Sequence, residues 1–270
     1  MPDFTARFRV PPRTAIKLSK IATDDTAGID SKQAANGRLQ HNITRLAALQ
    51  YRLAAENKRA LLIILQAMDA GGKDGTIRHV MSGLNPQGCR VVPFKVPAGA
   101  ETAHDFLWRI HHNVPAFGEI GIFNRSQYED VLVVRVHDLV PKAVWSRRYE
   151  QINAFEKMLA DNGTTILKFF LHISRDEQKR RLEARIDDPS KNWKIVPSDL
   201  SERKYWQDYQ DAYQDAIRNC STEWAPWFVI PADRKWFRNL VVSEIIADTL
   251  AAMKLRTPKP AMDLSKVTFD

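Results

Sequence analysis

Apolar residues along this chain recur with two different periods, and the two alternate. Between residues 32 and 57, Leu39, Ile43, Leu46, Leu49 and Leu53 repeat every three or four positions. That spacing gives one apolar face to a helix from Lys32 to about Asn57, which Ser31 can cap. Leu61 to Leu65 is instead a continuous apolar run behind Lys58 and Arg59. It is far shorter than the roughly 18 residues of a membrane span, and it fits a strand covered on both faces in a parallel sheet. Short runs at Cys89–Val96, Ile120–Phe123, Thr165–His172 and Trp227–Ile230 predict further strands, with Pro97 and Pro231 as stops.

Helical patterns fall between the runs. A helix follows Leu65 and ends near Gly83, and others cover Glu101–His112 and Pro141–Ala160, the latter with Trp145, Tyr149, Ile152, Phe155 and Leu159 inward. Ser174–Ile186, Glu202–Asn219 (with Trp206, Tyr209, Tyr213 and Ile217 on one face) and Lys235–Met253 complete the set. Strands alternating with helices predict an α/β fold, a parallel sheet of about five strands flanked by helices. Residues 1–31 lack periodicity and carry Pro11 and Pro12, so they read as an irregular arm; residues 255–270 read as a tail. The stretch DDPSKNWKIVPSDL breaks the helical pattern, so residues 180–213 read as a helical lid on one domain spanning 32–254.

Composition narrows the setting. With 44% hydrophobic and 27% charged residues, the chain has the balance of a soluble globular protein. No apolar segment precedes Arg13, and Cys89 and Cys220 are too far apart in sequence for metal-ligand spacing, so free thiols in the cytoplasm are expected. A net charge of +8 calls for an acidic partner such as nucleotides, polyphosphate, nucleic acid or an anionic membrane.

The chemistry concentrates after Leu65, in QAMDAGGKDGTI. A buried strand, a glycine turn and a helix start, in that order, build a phosphate-binding loop. Glycines let backbone N–H groups converge on an anion, the helix N-terminus adds partial positive charge, and Lys73 reaches the outer phosphates. Ala67 stands where the first glycine of the usual pattern would be, and Asp74 stands where a hydroxyl would meet magnesium. Asp69 and Asp74 would repel phosphate unless a divalent cation lay between, so both are expected to hold metal. The polar run Asn124, Arg125, Ser126, Gln127, Tyr128, Glu129 follows the third strand, where open α/β sheets bind ligands. Glu129 could equally serve only the dipole of a helix starting there. Arg180, Arg181 and Arg185 form a basic helix face, either solvated or carried over the phosphates by a lid. Trp193, in the aperiodic stretch, could stack on a base.

Four separated motifs, DAGGKDG (69–75), FNRSQYEDVLVVRV (123–136), ARIDDPSKNWK (184–194) and STEWAPWFVIPADRKWFRN (221–239), together resemble the polyphosphate kinase 2 family, over about Lys32 to Met253. The resemblance implies a P-loop kinase fold related to thymidylate kinases, magnesium (with manganese as a substitute), and phosphate transfer between inorganic polyphosphate and AMP, ADP or ATP, with guanine nucleotides as further acceptors. By position it implies catalytic roles for Asp69, Lys73, Asp74, Arg125, Glu129 and Arg181. Substrate contacts fall to Gly71, Gly72, Gly75, Lys95, Arg109, Asn124, Arg185, Lys191 and Lys194. Asn124 replaces the aspartate of the commonest family form and resembles the class III subgroup, which phosphorylates both mono- and diphosphates. A homo-oligomer is expected, with neither nucleic acid nor membrane as partner. An ATP-dependent nucleoside monophosphate kinase, or a non-catalytic nucleic-acid-binding protein, are the alternatives that the loop and the charge leave open.

Overall fold

The computed structural model describes residues 3–268. It opens with helix α1 (Phe4–Phe8) and strand β1 (Arg9–Val10), followed by α2 (Lys32–Glu56), β2 (Ala60–Gln66), α3 (Lys73–Val80) and β3 (Cys89–Pro93). Next come α4 (Trp108–His111), β4 (Ile120–Asn124), α5 (Val133–Val136), α6 (Lys142–Trp145), α7 (Arg148–Asp161) and β5 (Thr164–His172). The chain closes with α8 (Arg175–Ile186), α9 (Pro197–Ser201), α10 (Trp206–Cys220), β6 (Trp227–Pro231) and α11 (Lys235–Ala252).

The sheet has six strands in the order β1-β6-β5-β2-β4-β3. Five run parallel, and β1 pairs antiparallel with β6. Every residue of β2 is buried, which is why its sequence is apolar without alternation. β2 lies between β4 and β5, while the next strand in the chain, β3, lies beyond β4. The connections therefore diverge at the carboxyl end of β2, the crevice where doubly wound sheets place their ligands. On one side α2 packs on α11 through Arg38–Glu244 at 2.7 Å and Arg45–Asp248 at 2.6 Å. Ser31 does cap α2, accepting from the Ala34 N–H at 3.2 Å, and Asn57 closes it in the left-handed region. The inward set Trp145, Tyr149, Ile152, Phe155 and Leu159 is buried as its spacing predicts.

Three expectations change. The first thirty residues are not an irregular arm: they supply α1 and the sixth strand, and they bury Phe4, Phe8, Val10 and Leu18. A one-turn helix and a two-residue strand are too short to leave a period. The span Glu101–His112 is not one helix but a 3₁₀ turn at Gly99–Ala103 and the short α4. His104 is extended between them, and Asp105 Oδ1 accepts from the Leu107 N–H at 2.9 Å to start a new turn. The helix read over Pro141–Ala160 is divided into α6 and α7, although Ser146 and Arg147 keep helical dihedrals across the join. Among the described residues no helix is long and apolar enough to cross a membrane.

Candidate active site

The turn after β2 is shaped by what a Cβ could not occupy. At Gly71 a Cβ would lie 2.4 Å from the Ala67 Cβ and 2.7 Å from the Met68 oxygen. Gly72 has φ +101°, and a Cβ there would meet the Arg238 guanidinium at 1.9 Å. Gly75 has no such constraint, with its nearest neighbour at 3.4 Å. The chain then enters α3, whose first N–H groups, from Lys73 onward, have no intrahelical acceptor. The Lys73 ammonium folds back and donates to the Ala67 carbonyl at 3.1 Å. Burial lowers its pKa and nearby Arg125 adds to that, while Asp69, Glu129 and Asp74 pull the other way.

The end of β4 delivers the second half of the site. Asn124 Nδ2 donates to Asp74 Oδ1 at 2.7 Å, and Arg125 donates to Asp69 Oδ1 at 3.1 Å. Each loop carboxylate thus meets one donor from the neighbouring strand. Arg125 adopts φ +66°, which turns its side chain back toward the loop, and its N–H bonds the Leu65 carbonyl at 3.1 Å. Burial pulls the Arg125 pKa down, but Glu129 and Asp69 outweigh it and the net shift is upward. Glu129 sits in the first turn of a 3₁₀ helix, Gln127–Val131, that Ser126 caps. Asp69, Lys73, Asp74, Asn124, Arg125 and Glu129 therefore converge, as the sequence predicts.

Behind that turn lies a fully buried polar network. Lys168, from the middle of β5, donates to the Tyr128 hydroxyl at 2.8 Å and the Cys220 carbonyl at 2.7 Å, and pairs with Glu156 of α7. Glu156 also accepts from Tyr128 at 2.9 Å and from Gln127 at 3.0 Å. Burial pushes the Glu156 carboxyl up and Lys168 pulls it back. A lysine inside the apolar run ILKFFLH is the one sequence signal for this network, which fixes the turn carrying Arg125 and Glu129.

Arg181 is placed differently from the expectation of a mobile lid arginine. It is 8% exposed, in the middle of α8, paired with Glu177 at 2.6 Å. It also donates to the carbonyls of Ala70 and Gly71 at 3.0 Å each, and to Ala232 at 2.5 Å. It underpins the loop from the side of α8. Arg109 is likewise buried, but it bonds the Lys95 carbonyl at 2.7 Å with its guanidinium over Phe94, and so holds the segment after β3. Lys191 pairs with Asp188, and Lys194 lies 5.2 Å over the Trp193 ring. Trp193 is 73% exposed and donates to the Ser190 carbonyl at 3.0 Å. Arg185 is half-buried with no ion pair among the described residues.

Two further residues touch the loop, and a third backs one of them, without any pointer from local pattern. Gln178 donates to the Asp69 carbonyl at 3.0 Å, Arg203 donates to Gln178 at 2.7 Å, and Arg238 reaches the Gly71 carbonyl at 3.4 Å. Among the described residues, no group of three or more His, Cys, Asp or Glu side chains could hold a metal alone. Two carboxylates on a phosphate loop still suit magnesium, which is usually held by one or two carboxylates plus substrate phosphates.

The sequence model of the family described as Polyphosphate kinase 2 (PPK2) matches residues 29–258, which include every one of these side chains. The chain belongs to the polyphosphate kinase 2 family. Among its relatives, "AMP/ADP-polyphosphate phosphotransferase" of Meiothermus ruber is 52% identical over 265 residues, covering 98% of this chain and 99% of that protein. "ADP-polyphosphate phosphotransferase" of Rhodopseudomonas palustris is 47% identical, covering 94% and 92%. The crystal structure of polyphosphate kinase 2 from Arthrobacter aurescens TC1 superposes with a TM-score of 0.94 at 45% identity, covering 98% of this chain and 94% of that one. The six-stranded sheet and the loop after β2 are thus those of a polyphosphate kinase 2, and the resemblance seen in the four motifs extends over nearly the whole chain.

Proposed function

We propose that this polyphosphate kinase 2 transfers phosphate between inorganic polyphosphate and adenine nucleotides, taking AMP to ADP and ADP to ATP. The observation that carries this is the pair of loop carboxylates, Asp69 and Asp74, each met by a donor from the end of β4. The names of the relatives at 52% and 47% identity support the same substrates. Lys73 and the first N–H groups of α3 hold phosphate oxygens. A terminal oxygen of the acceptor attacks the end phosphorus of polyphosphate, and the bridging bond breaks with its electron pair left on the shortened chain. Magnesium, or manganese in its place, would be held by Asp69 and Asp74 with phosphate oxygens, and when bound it neutralises charge on the transferring group. Arg125 orients Asp69, and Glu129 offsets the burial of the Arg125 guanidinium. The excess charge of +8 draws in an anion carrying about one charge per phosphate. A homo-oligomer, acceptance of guanine nucleotides and a cytoplasmic setting, in keeping with two free thiols, belong to the same proposal.

The test is incubation with AMP, ADP or GDP plus polyphosphate and magnesium, followed by nucleotide separation. Expected are ADP then ATP from AMP, loss of turnover in excess chelator, and its return with magnesium. Turnover with ATP but not polyphosphate as donor to AMP would replace this function with that of a nucleoside monophosphate kinase.

A further inference from the structure

A buried arginine under the loop lacks the anion that its surroundings demand. Arg238, in the first turn of α11, is 2% exposed, and among the described residues no carboxylate pairs with it. Its side-chain bonds go to the neutral Asn239 Oδ1, at 3.2 and 2.8 Å, and to the Gly71 carbonyl at 3.4 Å. A buried charge is tolerated only when something compensates it, and an amide oxygen orients a guanidinium without neutralising it.

The neighbours make the deficit larger. Arg181, the other cation beneath the loop, comes within 3.4 Å of the position a Gly72 Cβ would take, where Arg238 would stand at 1.9 Å. Arg181 has Glu177 as its partner; Arg238 has none. Burial and Arg181 push the Arg238 guanidinium down to about 9, and Lys235, one turn away, is lowered by burial and by the same two arginines. The cation also lies against Gly72 and Gly75 at the start of α3, the positive end of that helix, where a positive side chain is disfavoured. Helix dipole, Lys73, Arg181 and Arg238 all present positive potential to the loop. Glu177 pairs with Arg180 and Arg181, and Asp69, Asp74 and Glu129 act on Lys73, which leaves Arg238 as the buried cation with no carboxylate bonded to it among the described residues.

We infer that the missing counter-charge is the phosphate seated on the loop, and that Arg238 is a positioning residue which supplies charge to that phosphate from beneath while holding the Gly71 carbonyl. Two features of the loop follow from this. Gly72 is glycine because the guanidinium occupies the space of a side chain. The Ala70 and Gly71 carbonyls are held by Arg181, and that of Gly71 also by Arg238, so the oxygens are drawn toward the arginines and away from a bound anion. Arg238 acts through the loop, without itself meeting the reacting atoms.

This role rests on the phosphate-transfer function proposed above, and the two fail separately. If that function is wrong, the wild-type protein shows no turnover with polyphosphate; if only Arg238 is misassigned, wild-type turnover stands and the variants alone decide. The experiment measures ADP and tripolyphosphate binding by calorimetry, with thermal unfolding in the presence and absence of ADP, for Arg238→Met and Arg238→Lys. Arg238→Met keeps the volume and removes the charge, so ADP binding is expected to weaken about tenfold or more. Its ligand-free unfolding temperature should equal or exceed that of the wild type, because an uncompensated buried charge has gone. Arg238→Lys retains the charge, though not the two-nitrogen contact with Asn239 Oδ1, and should bind ADP within about threefold of the wild type if charge is what the phosphate needs. A structural arginine gives the reverse: ligand-free unfolding falls in Arg238→Met while the upward shift on adding ADP is unchanged, and that result overturns the inference. A tenfold loss of ADP binding in Arg238→Lys overturns the charge role as well, even where the methionine variant does not fold.

Discussion

At the scale of single residues, Asn124 carries the most specific consequence. Its amide donates to Asp74 Oδ1 at 2.7 Å, a bond that an aspartate in the same place could not make. Two carboxylate oxygens at that separation repel strongly unless a cation or proton lies between them. Asn124→Asp should therefore lower the magnesium concentration needed for half-maximal turnover. It should also lower kcat/KM for AMP about tenfold more than for ADP, because the added charge stands beside the shorter acceptor. Rates with AMP and ADP at fixed polyphosphate and graded magnesium test both; an equal fall for the two acceptors would detach Asn124 from acceptor choice. Asp69, Lys73, Asp74, Asn124, Arg125 and Glu129 were legible in the sequence because each sits within a few positions of a strand end, where local order alone dictates direction. Gln178 and Arg238 were not, since they reach the loop only through the packing of helices more than 100 positions away in the chain, and Arg203 acts on it only through Gln178.

At the scale of elements, α8 separates the expected lid into a buried start and a weakly packed remainder. Sequence periodicity places Arg181 and Arg185 on one turn-spaced stripe and predicts a shared fate. The structure separates them, because burial depends on what packs against the helix: Arg181 meets Ala70, Gly71, Ala232 and Asp233, and Arg185 meets no such oxygens. Beyond Ile186 the chain is held by short-range bonds and by ties to the body through Glu202 and Arg203, the latter also donating to the Arg175 carbonyl at 3.3 Å. The shortest are Arg203 to Gln178 at 2.7 Å, and Glu202 to His137 and Tyr209 at 2.9 Å each. Ile186, Trp193 and Leu200 remain exposed there, so the weakly packed stretch begins after α8. Arg181→Ala leaves buried carbonyls and part of Glu177 unpaired and should cost about 3 kcal/mol of stability, read as a fall in the denaturant midpoint at constant slope. Arg185→Ala should keep the midpoint and lower kcat about tenfold. An unchanged midpoint in Arg181→Ala would return that arginine to the lid.

At the scale of the whole molecule, the alternation of strand and helix is a local property and was readable, whereas the order β1-β6-β5-β2-β4-β3 is set by crossovers that leave no local trace. The N-terminal segment shows the same limit most plainly. Phe4 and Phe8 sit 5.9 and 6.1 Å from the Phe237 ring of α11, and Ser221 donates to the Val10 carbonyl at 2.6 Å, so β1 closes the edge of the sheet that β6 would otherwise expose. The segment then runs past the active site's support: Thr23 bonds Asp233 at 2.7 Å, and Asp233 accepts from the Ser174 N–H at 2.9 Å, where α8 begins. An arm lying loosely on the surface would contribute almost nothing to stability, but a buried phenylalanine removed from a packed core costs roughly 3 to 5 kcal/mol. In a domain of this size that corresponds to a fall of roughly 10 °C in Tm. Phe4→Ala is expected to show that fall, with turnover at 25 °C retained because the residue touches no part of the loop. A Tm within about 2 °C of the wild type would mean that the segment rests on the domain without belonging to its core.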